Sequence, residues 1–135
     1  MARGLDGVVA AQTRLSRIDG KAGTLAIGGY LVEDLAPQAS FEEVTYLLWH
    51  DRLPTAAELS RFTRSLCHSR SLSADVLDLL AAAARGRCPV IDALRLATDA
   101  LALGSKGDDP MRDAARLVAA MPTIVATYWR MLRDE

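Results

Sequence analysis

A chain of 135 residues and 14.6 kDa can bury one hydrophobic core but is too short for two ordinary domains. Its 50% hydrophobic and 24% charged residues give a globular balance that excludes disorder, collagen-like repeats and low-complexity linkers. Sixteen Lys plus Arg against seventeen Asp plus Glu leave a net charge of -1, so no excess of positive charge is available for phosphates and nucleic acid is not an expected partner.

Twenty-three Ala and twenty Leu outweigh eight Val and four Ile, and residues without β-branching lose less side-chain freedom in a helix. The expected fold is therefore mainly α: a multi-helix bundle preceded by a short N-terminal β-hairpin or extended arm. Residues 1–30 form the arm or hairpin and 31–135 the bundle, together one unit. In the arm, Val8-Val9-Ala10-Ala11 and Thr24-Leu25-Ala26-Ile27 flank Asp19-Gly20 and Gly23, where a turn needing positive φ favours glycine. An isolated hairpin is marginal in water, so this one must lean on helices.

From Ser40 the helix punctuation is dense. Ser40-Phe41-Glu42-Glu43 reads as a capping box, with Phe41, Val44, Leu47 and Leu48 at helical spacing and an end near Asp51, ahead of Pro54. Thr55-Ala56-Ala57-Glu58 repeats the device before Leu59, Phe62 and Leu66, which implies a helical hairpin. Ser73 caps a third helix through Ala84, with Val76, Leu77 and Leu80 inward and Gly86 as its stop. Pro89 suits the first turn of a fourth, whose expected buried face is Ile91, Leu94, Thr98 and Leu101. After a loop over Gly104-Ser105-Lys106-Gly107-Asp108, Asp109-Pro110 opens a fifth helix with Ala114, Leu117, Val118 and Met121 on one side. Pro122 is expected to break or kink it.

The last segment, Thr123 to Arg133, is apolar over most of its circumference, as interior helices are. Ile124, Val125, Tyr128, Trp129, Met131 and Leu132 are therefore the expected interface with another protein surface. The alternative is a last helix in a crowded bundle with Trp129 half exposed.

Chemistry is harder to find. No apolar run approaches the roughly 20 residues that cross a bilayer, and Met1-Ala2-Arg3-Gly4-Leu5-Asp6 lacks a signal peptide's apolar core, so no membrane partner and a cytoplasmic location are expected. Cys67 and Cys88 form no C-x-x-C pair and are read as reduced thiols, with no metal site. His50 ends a helix, where a cation meets the negative pole of the dipole. Cys67 and His68 point about 100° apart on a helix and do not form a thiolate–imidazole pair, and buried packing is the expected role of such a Cys. Glu42-Glu43 and Asp108-Asp109 sit at helix starts, where the dipole stabilises negative charge. Dinucleotide, P-loop, zinc-protease, serine-hydrolase and EF-hand motifs are absent, so no catalytic residue is assigned.

An ordered series of segments nevertheless resembles the N-terminal part of the large domain in the citrate synthase family, which includes the 2-methylcitrate synthases. It runs through Gly4-Leu5-Asp6-Gly7-Val8-Val9-Ala10-Ala11-Gln12-Thr13, Ser16-Arg17-Ile18-Asp19-Gly20, Gly23-Thr24-Leu25, Gly29-Tyr30 and Asp34-Leu35-Ala36. It continues through Ser40-Phe41-Glu42-Glu43-Val44, Tyr46-Leu47-Leu48-Trp49-His50, Leu53-Pro54-Thr55, Pro89 to Leu94, and Leu117 to Ala126. Departures are Ile27-Gly28-Gly29-Tyr30 where many relatives read Tyr-Arg-Gly-Tyr, Cys88-Pro89-Val90 where they often read His-Pro-Met, and Asp51 in place of a usual Gly.

The resemblance implies an acyltransferase of the tricarboxylic acid cycle that condenses acetyl-CoA with oxaloacetate to citrate. In that family an Asp and one His take a proton from the acetyl methyl, a second His donates to the oxaloacetate carbonyl, and arginines hold the dicarboxylate. Those residues lie in downstream motifs, and neither His50 nor His68 matches them. The chain alone is therefore expected to be inactive and to bind no cofactor, acetyl-CoA being the substrate of a complete enzyme. Arg3 occupies the place of a basic residue that contacts the coenzyme A phosphate in some relatives, the alternative being a solvated terminal arginine. Family members are homodimers, which implies a homo-oligomer or a complementary citrate synthase chain as partner. The competing expectation is a non-catalytic helical interaction module, or split-enzyme subunit, that kept the scaffold.

Overall fold

The computed structural model describes residues 12–103 and 107–134. It is mostly helical with short antiparallel strands, in the order β1 (Ser16–Asp19), β2 (Thr24–Ile27), β3 (Tyr30–Leu31), α1 (Val32–Leu35), α2 (Phe41–His50), α3 (Ala56–His68), α4 (Ala74–Arg85), α5 (Val90–Ala100) and α6 (Pro110–Met131). The chain divides into two compact units, residues 1–62 and 63–135. The division lies within α3.

In the first unit the expected hairpin gains a third strand, giving an antiparallel sheet in chain order. Ser16 stands opposite Ile27 and Asp19 opposite Thr24, while Ile27 pairs with Tyr30. The first turn is fixed by the Asp19 carboxylate, which accepts the N–H groups of Lys21 and Ala22 at 3.0 Å. The second is Gly28-Gly29, with φ of 56° and 90°, a two-residue connection that needs positive φ at both positions. A Cβ on Gly28 would lie 2.7 Å from Cγ of Leu47, whose side chain is fully buried, so space as well as backbone demands glycine there. Val8-Val9-Ala10-Ala11 lies outside the described residues.

Both capping boxes form. At α2 the Glu43 N–H donates to Ser40 Oγ at 3.2 Å, while Glu43 Oε2 accepts the Ser40 N–H at 2.8 Å. At α3, Glu58 Oε2 accepts the Thr55 N–H at 2.8 Å and the Glu58 N–H returns to Thr55 Oγ1 at 3.4 Å. Asp51 closes α2 with φ 59°, the left-handed conformation that favours the glycine usual in relatives. Its carboxylate accepts from Nε of Arg14 at 2.8 Å.

In the second unit α4, α5 and α6 pack mutually around Val76, Leu80, Ala93, Ala97, Leu101, Ala120, Ile124 and Tyr128. Of the expected buried face of α5, Leu101 is buried and Leu94 packs against the core, but Ile91 is exposed and Ala93 and Ala97 face inward instead. Small side chains at four-residue spacing bring helix axes close, so alanine outranks the larger residue as the contact. Likewise α6 buries Ala119, Ala120, Ile124 and Tyr128, whereas Leu117 and Met121 are exposed. Pro122 does not end it, and one helix of 22 residues runs from Pro110 to Met131. The proline sits on the exposed side, where water can replace the lost backbone bond. Asp109 caps α6 as expected, accepting the N–H groups of Met111 and Arg112. Ser73 precedes α4, but its hydroxyl makes no capping bond and is buried without a partner among the described residues.

Candidate functional site

The charged and aromatic groups that are brought together lie in the first unit. Arg52 forks onto Glu58, with contacts of 2.9 Å to Oε2 and 2.6 Å to Oε1, while Thr55 binds the same carboxylate. The hydrogen bonds from Arg52, then those from Thr55, hold the Glu58 carboxyl well below the usual carboxylate range. Glu58 in turn pushes the Arg52 guanidinium up. Arg52 also lies over the Tyr46 ring, 5.6 Å from its centroid, and Tyr46 meets His50 at 4.1 Å. Phe62 meets Tyr46 and Trp49 edge to face, at 5.4 and 5.6 Å. The Arg52, Glu58 and Thr55 groups of this cluster are engaged with one another at the start of α3. The Ser40 backbone N–H and hydroxyl likewise hold Glu43 below its ordinary range.

Among the described residues neither histidine has a carboxylate partner. His50 ends α2 against Tyr46, and the Nδ1 of His68 contacts the Arg64 carbonyl at 2.6 Å. Cys67, expected to be buried packing, is exposed on α3. Cys88 is half-buried, and its carbonyl accepts the Tyr128 hydroxyl. Burial pushes the Tyr128 phenol above its ordinary value. Among the described residues no group of His, Cys, Asp and Glu comes together as a metal site, and no helix is long and apolar enough to cross a membrane.

The expected interface residues separate into two sets. Ile124 and Tyr128 are buried in the unit's own core, and Met131 and Leu132 pack against it. Ile124 and Tyr128 are therefore satisfied within the chain, whereas Met131 and Leu132 stay half-buried. Val125 and Trp129 are 45% and 51% exposed, and with Leu117 and Met121 they form a stripe at four-residue spacing along the outer face of α6. Arg133 lies over the Trp129 ring at 4.3 Å. Arg3 lies outside the described residues.

The aromatic cluster was missed by sequence reading. Its only signal was the Tyr46, Trp49 and Phe62 spacing, which became a contact only where the Phe62 ring meets the two aromatic rings of α2.

A family model described as citrate synthase, C-terminal domain, matches residues 4–135. The citrate synthase of Haloferax volcanii is 40% identical over 142 residues, which cover 98% of this chain and 38% of that protein. The 2-methylcitrate synthase of Mycobacterium tuberculosis is 37% identical over 139 residues, covering 97% of this chain and 34% of that protein. The crystal structure of citrate synthase from Thermotoga maritima matches with a TM-score of 0.82 at 33% identity, covering 98% of this chain and 35% of that one. The chain thus spans about a third of the length of the relatives it matches.

Proposed function

The chain belongs to the citrate synthase family, and on that premise we propose that it is the N-terminal part of the large domain of an acyltransferase that condenses acetyl-CoA with oxaloacetate to citrate. By itself it is inactive. The observation that carries this reading is the coverage: 98% of this chain aligns with 38% of the Haloferax protein, so these residues span only part of such a protein. The local engagement of His50 with Tyr46 and of His68 with Arg64 supports it, since neither ring is set against a carboxylate.

In this reading the two units are scaffold. The catalytic His, His and Asp lie outside these 135 residues, and a second copy of this chain or a complementary citrate synthase chain covers the stripe of Leu117, Met121, Val125 and Trp129. Arg3 contacts the coenzyme A phosphate in the completed assembly, in the cytoplasm. The test is citrate formation from acetyl-CoA and oxaloacetate. The pure chain is expected to form none, and activity is expected to appear on mixing with a chain bearing the missing residues. Citrate made by the pure chain refutes the inactivity, and no activity with any such neighbour removes the split-enzyme form.

The exposed stripe on α6 favours a second reading, a helical interaction module that kept the scaffold without the chemistry. A strictly monomeric solution mass together with a solvent-quenched Trp129 counts against that module.

A further inference from the structure

Helix α4 ends in a turn that is held from two sides. The N–H groups of Arg87 and Cys88 donate to the carbonyls of Ala84 and Ala83, both at 2.9 Å, the paired closure that places a left-handed residue just beyond a helix. That residue is Arg87, with φ 48°, while the expected stop, Gly86, stands one position early in ordinary helical conformation with φ -79°. From the other side the buried Tyr128 hydroxyl donates to the Cys88 carbonyl. The backbone that carries Arg87 is therefore fixed against both α4 and α6.

Beside this turn opens a cleft of about 470 Å³. Ala84, Met131 and Leu132 give it an apolar floor, and Arg85, Arg87 and Asp134 are its charged residues. Met131 and Leu132 also pack against the core, which fixes where the floor lies in the unit. Both arginines are exposed, and neither guanidinium has a hydrogen bond or ion pair among the described residues. The negative pole of α4, which would repel an anion, is blunted because its last carbonyls already accept backbone N–H groups.

We propose that this cleft binds a small amphiphilic oxyanion, its carboxylate or phosphate headgroup held by Arg85 and Arg87 and a short apolar chain lying on Met131 and Leu132. Planar guanidinium forks match both headgroups, the volume suits a small molecule, and the fixed backbone lowers the ordering cost of binding. The site is independent of the acyltransferase reading.

Calorimetric titration of the 135-residue chain with hexyl phosphate and with hexanoate tests it, with inorganic phosphate and hexanol as headgroup and chain alone. At least one amphiphile is expected to bind saturably, one to one, at least tenfold more tightly than either fragment, and the tighter of the two identifies the headgroup. Arg85→Gln and Arg87→Gly are each expected to weaken that binding at least tenfold, and Asp134→Asn to strengthen it. Arg87→Gly is also expected to raise the melting temperature, because glycine accepts positive φ without strain. Loss of binding in that variant therefore cannot come from unfolding. Saturation by neither amphiphile, equal affinity for inorganic phosphate, or unchanged affinity in Arg87→Gly overturns the proposal.

Discussion

The two units are held together by different physics. In the first, the sheet is largely exposed, and the buried side chains are Leu35, Thr45, Tyr46 and Leu47. Its order comes from turns, two capping boxes, the Arg52–Glu58 fork and aromatic edges. The second has one apolar cluster of three helices, to which the Tyr128–Cys88 bond and the Thr98 hydroxyl on Met121 Sδ add polar ties. A unit held by directional polar contacts responds to pH and to local geometry, whereas one held by a close-packed interior responds to lost volume. Trp49 lies in the first unit and Trp129 in the second, so single-tryptophan variants report on each.

The largest difference is expected from Ile124→Ala. Ile124 is fully buried at the centre of the helical cluster, and removing its outer carbons costs about 2–5 kcal/mol as transfer and cavity terms add. Urea unfolding followed at Trp129 should shift by that amount. A shift below about 1 kcal/mol would mean that the second unit lacks the packed interior ascribed to it.

A middle-sized effect is expected in the first unit from Gly28→Ala. The new methyl meets buried Leu47 at 2.7 Å on a residue with φ 56°, and overpacking of this kind costs about 1–3 kcal/mol. The loss should be read at Trp49. Neutral or increased stability there shows that the turn has room and that the tight contact does not constrain it.

The smallest effect is a pH response that separates the units most cleanly. The Glu58 carboxyl is held in the folded chain below its ordinary value of 4.5. Its contribution to stability is therefore fully present above that value and declines as pH falls below it. Glu58→Gln should flatten the acid limb of a stability–pH curve read at Trp49, leaving the curve at Trp129 in place. An unchanged acid limb at Trp49 would remove the Arg52–Glu58 fork from the account of the first unit.

The same contrast governs what could be read in advance. Ser40 and Glu43, and Thr55 and Glu58, announce helix starts because each pair satisfies backbone groups within four residues, so no distant part of the chain takes part. The start of α6 at Asp109-Pro110 was legible for the same reason. Reading failed where a partner decides. Ile91 is the larger apolar residue, yet Ala93 and Ala97 are the ones that meet α4 and α6. Thr123 to Arg133 is apolar over most of its circumference, but which of those residues the chain itself covers depends on where α4 and α5 lie.

Taken alone, the order of residues determined the helical class, the helix starts, the need for glycine in the turns and the likeness to one enzyme family. All of these follow from short-range backbone chemistry or from the succession of segments. Only the tertiary structure decided that Ile124 and Tyr128 face inward while Val125 and Trp129 face out, that the left-handed position after α4 falls on Arg87 and not on Gly86, and that Tyr46, Trp49 and Phe62 meet. Burial, and the geometry that packing imposes, belong to pairs of elements, and one segment's sequence does not contain its neighbour's surface.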